Sequence, residues 1–77
     1  MLFLIEYDRG KGEIITFRSF ADSERQAAEN SRLDLELELN RREQEREVVL
    51  LQASSEDALR RTHRRYFENL SELVKAS

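Results

Sequence analysis

Apolar and polar positions alternate at the start of the chain in the way that is typical of a β-strand. Residues 2–8, LFLIEYD, put three bulky apolar side chains on one face, because successive side chains of a strand point to opposite sides. Leu2 and Leu4 lie on the other face. Both faces of this predicted strand are therefore apolar, and each needs a covering layer.

A second strand is predicted after a short glycine-containing loop. The loop RGKG, residues 9–12, suits a hairpin because glycine adopts positive φ without steric cost. β-branched and aromatic residues make up most of EIITFRSF, residues 13–20. The sequence therefore predicts a β-hairpin over residues 2–20. The GKG motif lacks the longer glycine spacing of a phosphate-binding loop and joins two strands, so a turn is the better interpretation.

The next segment gives two conflicting signals. Residues 33–39, LDLELEL, alternate as a strand would, but leucine and glutamate are strong helix formers and β-branched residues are absent there. We predict a helix over about residues 22–40. Asp22 is its expected N-cap, with Ser19 as a competitor, and Asn40 is expected near its C-terminal cap.

This helix is predicted to be apolar on two sides. At about 100° per residue, Ala28, Leu35 and Leu39 share one face, while Leu33 and Leu37 lie nearly opposite. A helix with two apolar sides needs two partners. The sheet is one expected partner, and the last helix or another chain is the other.

The remaining elements complete an α+β domain. Residues 47–53 predict a strand buried on both faces, since its apolar residues are consecutive. Ser54 or Ser55 is expected to cap a last helix over about residues 55–74. The order β-β-α-β-α predicts a single two-layer domain over residues 1–77. Its three-stranded, mostly antiparallel sheet is expected in strand order 2-1-3, with two helices.

Part of the apolar surface has no obvious cover in this arrangement. The first helix is expected to cover the sheet face opposite Leu2 and Leu4, which leaves those two residues for the last helix or for a second subunit. A chain of 77 residues without cysteine cannot use a disulfide staple, and oligomerisation is a common substitute. We therefore predict a homodimer, with Leu2, Leu4, Leu33 and Leu37 as candidate self-association residues.

An arginine cluster marks the predicted last helix. Residues 58–67, ALRRTHRRYF, place Arg60, Arg61, Arg64 and Arg65 on one arc of a continuous helix. A solvated helix face is the favoured interpretation. The alternatives are an anion-binding surface for an acidic protein partner or for nucleic acid, because guanidinium groups bind carboxylates and phosphates. The net charge of −3 makes nucleic acid the weaker of the two.

Candidate catalytic groups are few. His63 is the only histidine, and we predict a structural role for it at the edge of the apolar arc. Glu6, Asp8 and Glu13 gather near the hairpin turn, where exposed strand ends need polar residues. We predict a non-enzymatic chain. The rival interpretation requires a ligand pocket between the sheet and the last helix, near His63 and Tyr66.

The remaining composition adds expected absences. One histidine and no cysteine exclude a histidine- or cysteine-rich metal site, and no loop has EF-hand spacing, so no metal or cofactor is predicted. The first apolar run ends at Glu6, too early for a signal peptide, and no stretch approaches the roughly 18 apolar residues of a membrane span. The sequence predicts a cytoplasmic, self-associating interaction module, with anion binding through the arginine cluster as the alternative.

Overall fold

The computed structural model describes residues 1–67 and confirms the predicted α+β fold. The elements run in the order β-β-α-β-α. Two short 3-10 turns, Asp22–Glu24 and Arg64–Tyr66, precede the first helix and follow the second. The strands and helices are β1 (Leu2–Asp8), β2 (Glu13–Phe20), α1 (Arg25–Arg41), β3 (Glu47–Gln52) and α2 (Glu56–Thr62).

The three strands form one antiparallel sheet in the order β2-β1-β3. The central strand β1 pairs with β2 on one side and with β3 on the other. The register of β1 and β2 shifts between Glu6 and Tyr7, where Ile15 has no directly opposite residue. This bulge brings Ile14 and Phe17 to the same face of the sheet, although they are three residues apart.

The two helices cover the sheet faces in the opposite way to our expectation. Leu2 and Leu4 are buried in a cluster with Phe20 and Ala28, so α1 covers their face. The aromatic face, with Phe3 and Tyr7, packs instead against Leu59, Tyr66 and Phe67. The two-residue period cannot tell which apolar face of β1 lies under the first helix. The prediction that Leu2 and Leu4 form a self-association surface is therefore wrong.

The first helix, Arg25–Arg41, overlaps most of the predicted range of about 22–40 but begins three residues later and has different caps. Asp22 lies in the preceding 3-10 turn, and Glu24 occupies the N-cap position without a side-chain capping bond, so the Asp22 prediction is wrong. Instead, Glu24 accepts a hydrogen bond from the backbone N–H of Ala21 at 2.8 Å. At the other end, Glu43 takes a left-handed conformation with φ of 57°, and the N–H of Gln44 donates to the carbonyl of Leu39. The helix ends there because this geometry satisfies its last carbonyls.

The last helix is much shorter than predicted. Ser55 caps α2 by accepting from the N–H of Ala58 at 3.1 Å, as one of the two predicted serines should. The helix ends at Thr62, whose Oγ1 donates within 3.0 Å of the Ala58 carbonyl. A threonine hydroxyl that binds carbonyls of the preceding turn competes with the regular helix. A continuous helix to residue 74 is therefore wrong, and residues 68–74 lie outside the described part of the chain.

The third strand lies at an edge of the sheet rather than in its interior. Within residues 1–67, β3 has a neighbouring strand on one side only, and its apolar residues, Val48 to Leu51, are each half-buried. The prediction that both faces of this strand are covered is correct. Val48 and Leu50 pack into the core on one face of the sheet, and Val49 and Leu51 pack into the core on the other. The prediction did not include the position of β3 at the edge of the sheet, because hydrophobic periodicity does not indicate strand order.

Candidate functional site

A groove runs along the free edge of β3, between that strand and α1. Its volume is about 480 Å³. Apolar side chains of the sheet form one wall, and charged side chains of α1 form the other. The lining consists of Leu2, residues 48–52, Arg25, Glu29 and Arg32.

Among the residues that the structure describes, the backbone of β3 presents hydrogen-bonding groups without a partner to this groove. Ala53 N donates to Met1 O, and Met1 N donates to Ala53 O, each at 3.0 Å. In an antiparallel ladder, pairs that exchange both bonds recur at every second residue. The odd-numbered residues of β3 therefore direct their backbone groups to β1. Those of Val48, Leu50 and Gln52 point outward, where a further strand could bind them.

The groove wall on α1 carries charges of alternating sign. Arg25, Glu29, Arg32 and Glu36 lie on one flank of the helix, because they are spaced four, three and four residues apart. The guanidinium of Arg25 donates to Gln52 Oε1 at 3.3 Å, and Arg32 pairs with Glu36 at 3.2 Å. The Arg25–Gln52 hydrogen bond joins the charged flank to the end of β3, whereas Arg32 and Glu36 pair within α1.

Two of the four predicted self-association leucines are accessible. The side chains of Leu33 and Leu37 are 51% and 59% exposed, on the side of α1 that faces away from the sheet. Leu33 follows Glu29 by one turn and so adjoins the groove. Leu37 lies one turn further on, in a shallow depression with Asp34, Glu38 and Arg41.

Two of the cluster arginines pair along α2 itself. Arg60 donates to Glu56 at 3.1 Å, and Arg61 lies 2.9 Å from Asp57. The Arg60 guanidinium also lies over the ring of Phe67, 4.6 Å from its centroid. Exposed pairs of this kind contribute little to stability, typically about 0.3–0.5 kcal/mol each.

Arg65 is directed to the sheet rather than to the α2 surface. Its guanidinium donates to Glu47 Oε1 at 2.6 Å and covers the ring of Tyr66 at 4.2 Å. The Tyr66 hydroxyl donates to the same carboxylate oxygen at 2.9 Å. Arg65 holds the pKa of the Glu47 carboxyl below its usual range, while burial raises the pKa of the Tyr66 hydroxyl. This network fixes the 3-10 turn to the start of β3.

The four arginines therefore do not form one helix face. The break at His63 places Arg64 and Arg65 in a separate turn, so a continuous helical wheel no longer applies. Arg64 is exposed in that turn. Arg60 and Arg61 lie on α2, each beside a carboxylate, and Arg64 and Arg65 lie in the following turn, so the four do not share the single helical arc predicted from the sequence.

The region near His63 contains little space. The imidazole Nδ1 lies 2.9 Å from Thr62 Oγ1, and its ring stacks on Tyr66 with centroids 6.5 Å apart. The nearby cavity is about 170 Å³ and is lined by Tyr66 and Phe67 with three hairpin residues, and His63 does not line it. The rival ligand pocket near His63 and Tyr66 thus has a volume below the usual range of small-molecule sites.

One polar cluster was missed by sequence reasoning. Glu6 is only 4% exposed, accepts from Thr16 Oγ1 at 2.7 Å and pairs with Arg46 at 2.5 Å. Arg46 also lies 3.6 Å from Asp8. The expectation that Glu6 is an exposed strand-end residue is therefore wrong. Glu6 shares a strand face with Leu2 and Leu4, and this pattern could have predicted its burial. Nothing in the sequence indicated Arg46 as its partner.

A larger open cleft lies beside this ion pair. It measures about 660 Å³ between the hairpin turn, the end of α1 and the connector before β3. Arginine, glutamate, asparagine and glutamine side chains line it together with Leu39 and Val48. Its charges are mixed, so the cleft does not favour one class of ligand.

Comparisons give no relative from which a function could be transferred. Against protein families, curated proteins and solved structures, the chain has no significant match. Within residues 1–67, no three or more histidine, cysteine, aspartate or glutamate side chains are placed to hold a metal ion. The helices described for this part of the chain are also too short or too polar to cross a membrane.

Proposed function

We propose that this chain is a small, non-enzymatic protein-interaction module that self-associates through the free edge of β3. The observation that carries the proposal is the apolar composition of an unpaired strand edge. Four consecutive apolar residues, Val48 to Leu51, occupy the middle of β3, and their outward backbone groups border an open groove. An exposed, apolar edge strand is a ready template for another strand.

Addition of a strand at this edge would be stabilised in two ways. A further strand would satisfy the outward N–H and C=O groups of Val48, Leu50 and Gln52, while apolar side chains on both faces would lose contact with water. A small domain also buries only about 60% of its unfolded surface, so association gives it stability that its own core lacks.

The anion-binding alternative has less support. Arg60, Arg61 and Arg65 each have a carboxylate partner within the chain, and phosphate would have to displace those partners. Binding of a labelled oligonucleotide at low salt, lost in Arg60→Glu/Arg64→Glu, would favour this alternative. A cytoplasmic location and an acidic protein partner are proposals that rest on the sequence alone.

Sedimentation velocity over a concentration series tests the proposed function directly. We expect a reversible monomer–dimer equilibrium between low micromolar and millimolar protein, because the contact pairs backbone groups and removes apolar side chains from water. A chain that sediments as a monomer throughout that range would overturn the proposal.

A further inference from the structure

The backbone pattern of β3 restricts how two copies of the edge can pair. Residues that lie directly opposite in an antiparallel ladder are both hydrogen-bonded or both non-bonded. A two-fold axis must therefore relate outward-pointing residues to one another, and these are Val48, Leu50 and Gln52. With the axis at Leu50, each Val48 lies opposite Gln52 of the second copy, so all three outward residues are paired. An axis at Val48, Val49, Leu51 or Gln52 would leave at least one of these outward residues without a partner inside β3.

The charged flank of α1 has the same centre as this strand register. Arg25 donates to Gln52 at one end of β3, and Glu36 lines a cleft with Val48 at the other end. The middle of the flank, Glu29 and Arg32, lines the same groove as residues 48–52, whose central residue is Leu50. An axis at Leu50 would also pass near the middle of the charged flank.

The order of charges on that flank is complementary to its own antiparallel copy. Reversal of the sequence Arg25, Glu29, Arg32, Glu36 about its midpoint places Glu29 opposite Arg32 of the second copy. It likewise places Arg25 opposite Glu36. Every contact across the axis thus joins opposite charges, whereas a parallel arrangement would join like charges. Complementary charges of this kind fix the register and exclude wrong partners.

The spacing also allows the helices to meet. α1 lies over β1 and β3 and contacts both strands. If β3 pairs with β3, the two α1 helices lie about two strand spacings apart, which is ~10 Å. Helices pack at about 8–10 Å. The two charged flanks would therefore face each other at contact distance, and the groove would close.

We infer that the partner at the β3 edge is a second copy of this chain, bound antiparallel about a two-fold axis at Leu50. The two three-stranded sheets join into one sheet in the order β2-β1-β3-β3-β1-β2, and the two α1 helices pair on one face. The inference rests on the proposed self-association and adds to it the partner, the register and the charge contacts. Leu50 contacts Leu50 of the second copy across the axis.

A charge-reversal cycle on α1 tests the helix contacts. Glu29→Arg places a guanidinium opposite Arg32 of the second copy, twice in each dimer, and should raise the dimer dissociation constant at least about tenfold. The double variant Glu29→Arg/Arg32→Glu restores opposite charges and should return the constant to within about threefold of wild type. Because Glu29 is exposed, its replacement leaves the monomer folded, which circular dichroism checks.

Cysteine cross-linking tests the strand register separately. The chain has no cysteine, so a disulfide in a single-cysteine variant must join two copies. Leu50→Cys should form a disulfide-linked dimer under mild oxidation, whereas Ile15→Cys on the β2 edge should not. A disulfide-linked Ile15→Cys dimer would overturn the inferred arrangement. It would also be overturned if the Leu50→Cys dimer formed no disulfide and Glu29→Arg had no effect on dimerisation. Wild-type protein that dimerises in those experiments would still support the proposed function, whereas a wild-type monomer would overturn both.

Discussion

The two edge strands of the sheet, β2 and β3, differ in the features that prevent pairing with a further strand. β2 contains a bulge at Ile15 and carries charged residues at both halves, Glu13 and Arg18, which are devices that keep edge strands from pairing. β3 has no register shift in its pairing with β1, and its only charged residue is Glu47 at its start. Among the described residues, therefore, only the β2 edge carries a bulge and more than one charged side chain. This difference between the two edges supports the proposal that β3, and not β2, is the edge that binds a partner strand.

The largest expected effect is a difference in stability between two proline variants of β3. One replaces a residue whose N–H points to β1, and the other replaces a residue whose N–H points away from the sheet. Leu51→Pro removes an N–H that points to β1 and leaves a buried carbonyl without its partner, which should lower the free energy of unfolding by about 1–3 kcal/mol. Gln52→Pro removes an outward N–H at an exposed position and should cost less than about 1 kcal/mol in the monomer. Urea denaturation at low protein concentration measures both. Equal losses would show that the assignment of outward residues is wrong.

The second prediction compares the two edges in association. Gln52→Pro removes two intermolecular donors from a dimer, each worth about 0.5–1.5 kcal/mol, and should weaken dimerisation about tenfold. Ser19→Pro is the matched control, because Ser19 is exposed on β2 and its paired residue Phe3 directs its backbone groups to β3. Sedimentation velocity should show an unchanged dissociation constant for the control. A stronger effect of Ser19→Pro would assign the contact to the β2 edge.

A third, smaller effect concerns the acid sensitivity of the start of β3. The pKa of Glu47 is lowered in the folded chain, first by the hydrogen bond from Arg65, so its contribution is complete above the ordinary carboxyl range. That contribution is lost as the pH falls through the folded pKa, because protonation then removes the ion pair. Glu47→Gln should lower stability by about 1 kcal/mol or less at neutral pH and flatten the acid limb. Thermal unfolding between neutral pH and pH values below the carboxyl range measures this; an unchanged acid limb would contradict it.

The smallest expected effect is that of the outermost leucine. Leu37→Ser should change the dimer constant by less than about threefold and the stability by less than about 0.5 kcal/mol, because Leu37 faces away from both the sheet and the β3 groove. Sedimentation velocity and urea denaturation measure the two quantities. Loss of the dimer in this variant would transfer the contact to the outer side of α1, the surface that the sequence predicted together with Leu33.

Hydrophobic periodicity predicted most of this fold because each strand and helix has a local signature. The hairpin follows from its glycines and β-branched residues, and α1 follows from helix propensity despite the alternation of residues 33–39. Periodicity could not decide which apolar face of β1 the helix covers, since Leu2 and Phe3 are equally suitable. It also missed the end of α2 at Thr62, where a single hydroxyl competes with the backbone.

The candidate site was predictable only in part. The exposure of Leu33 and Leu37 follows from their angle on the helical wheel. The free edge of β3 does not, because the run VVLLQ is equally compatible with a central strand, and only the sheet order places it outside. The arginine cluster was misjudged because its interpretation assumed one helix, whereas Arg65 contacts a carboxylate eighteen residues away in sequence.

Backbone amide exchange at two protein concentrations would show whether the β3 edge is the self-association surface. At a concentration where the chain is monomeric, the amides of Val48, Leu50 and Gln52 should exchange rapidly with solvent, because their N–H groups point outward. At a concentration where the dimer dominates, the same three amides should become protected, while the outward Ser19 amide of β2 stays unprotected. Dimer formation without protection of these β3 amides, or with protection at Ser19 instead, would show that the chain self-associates elsewhere.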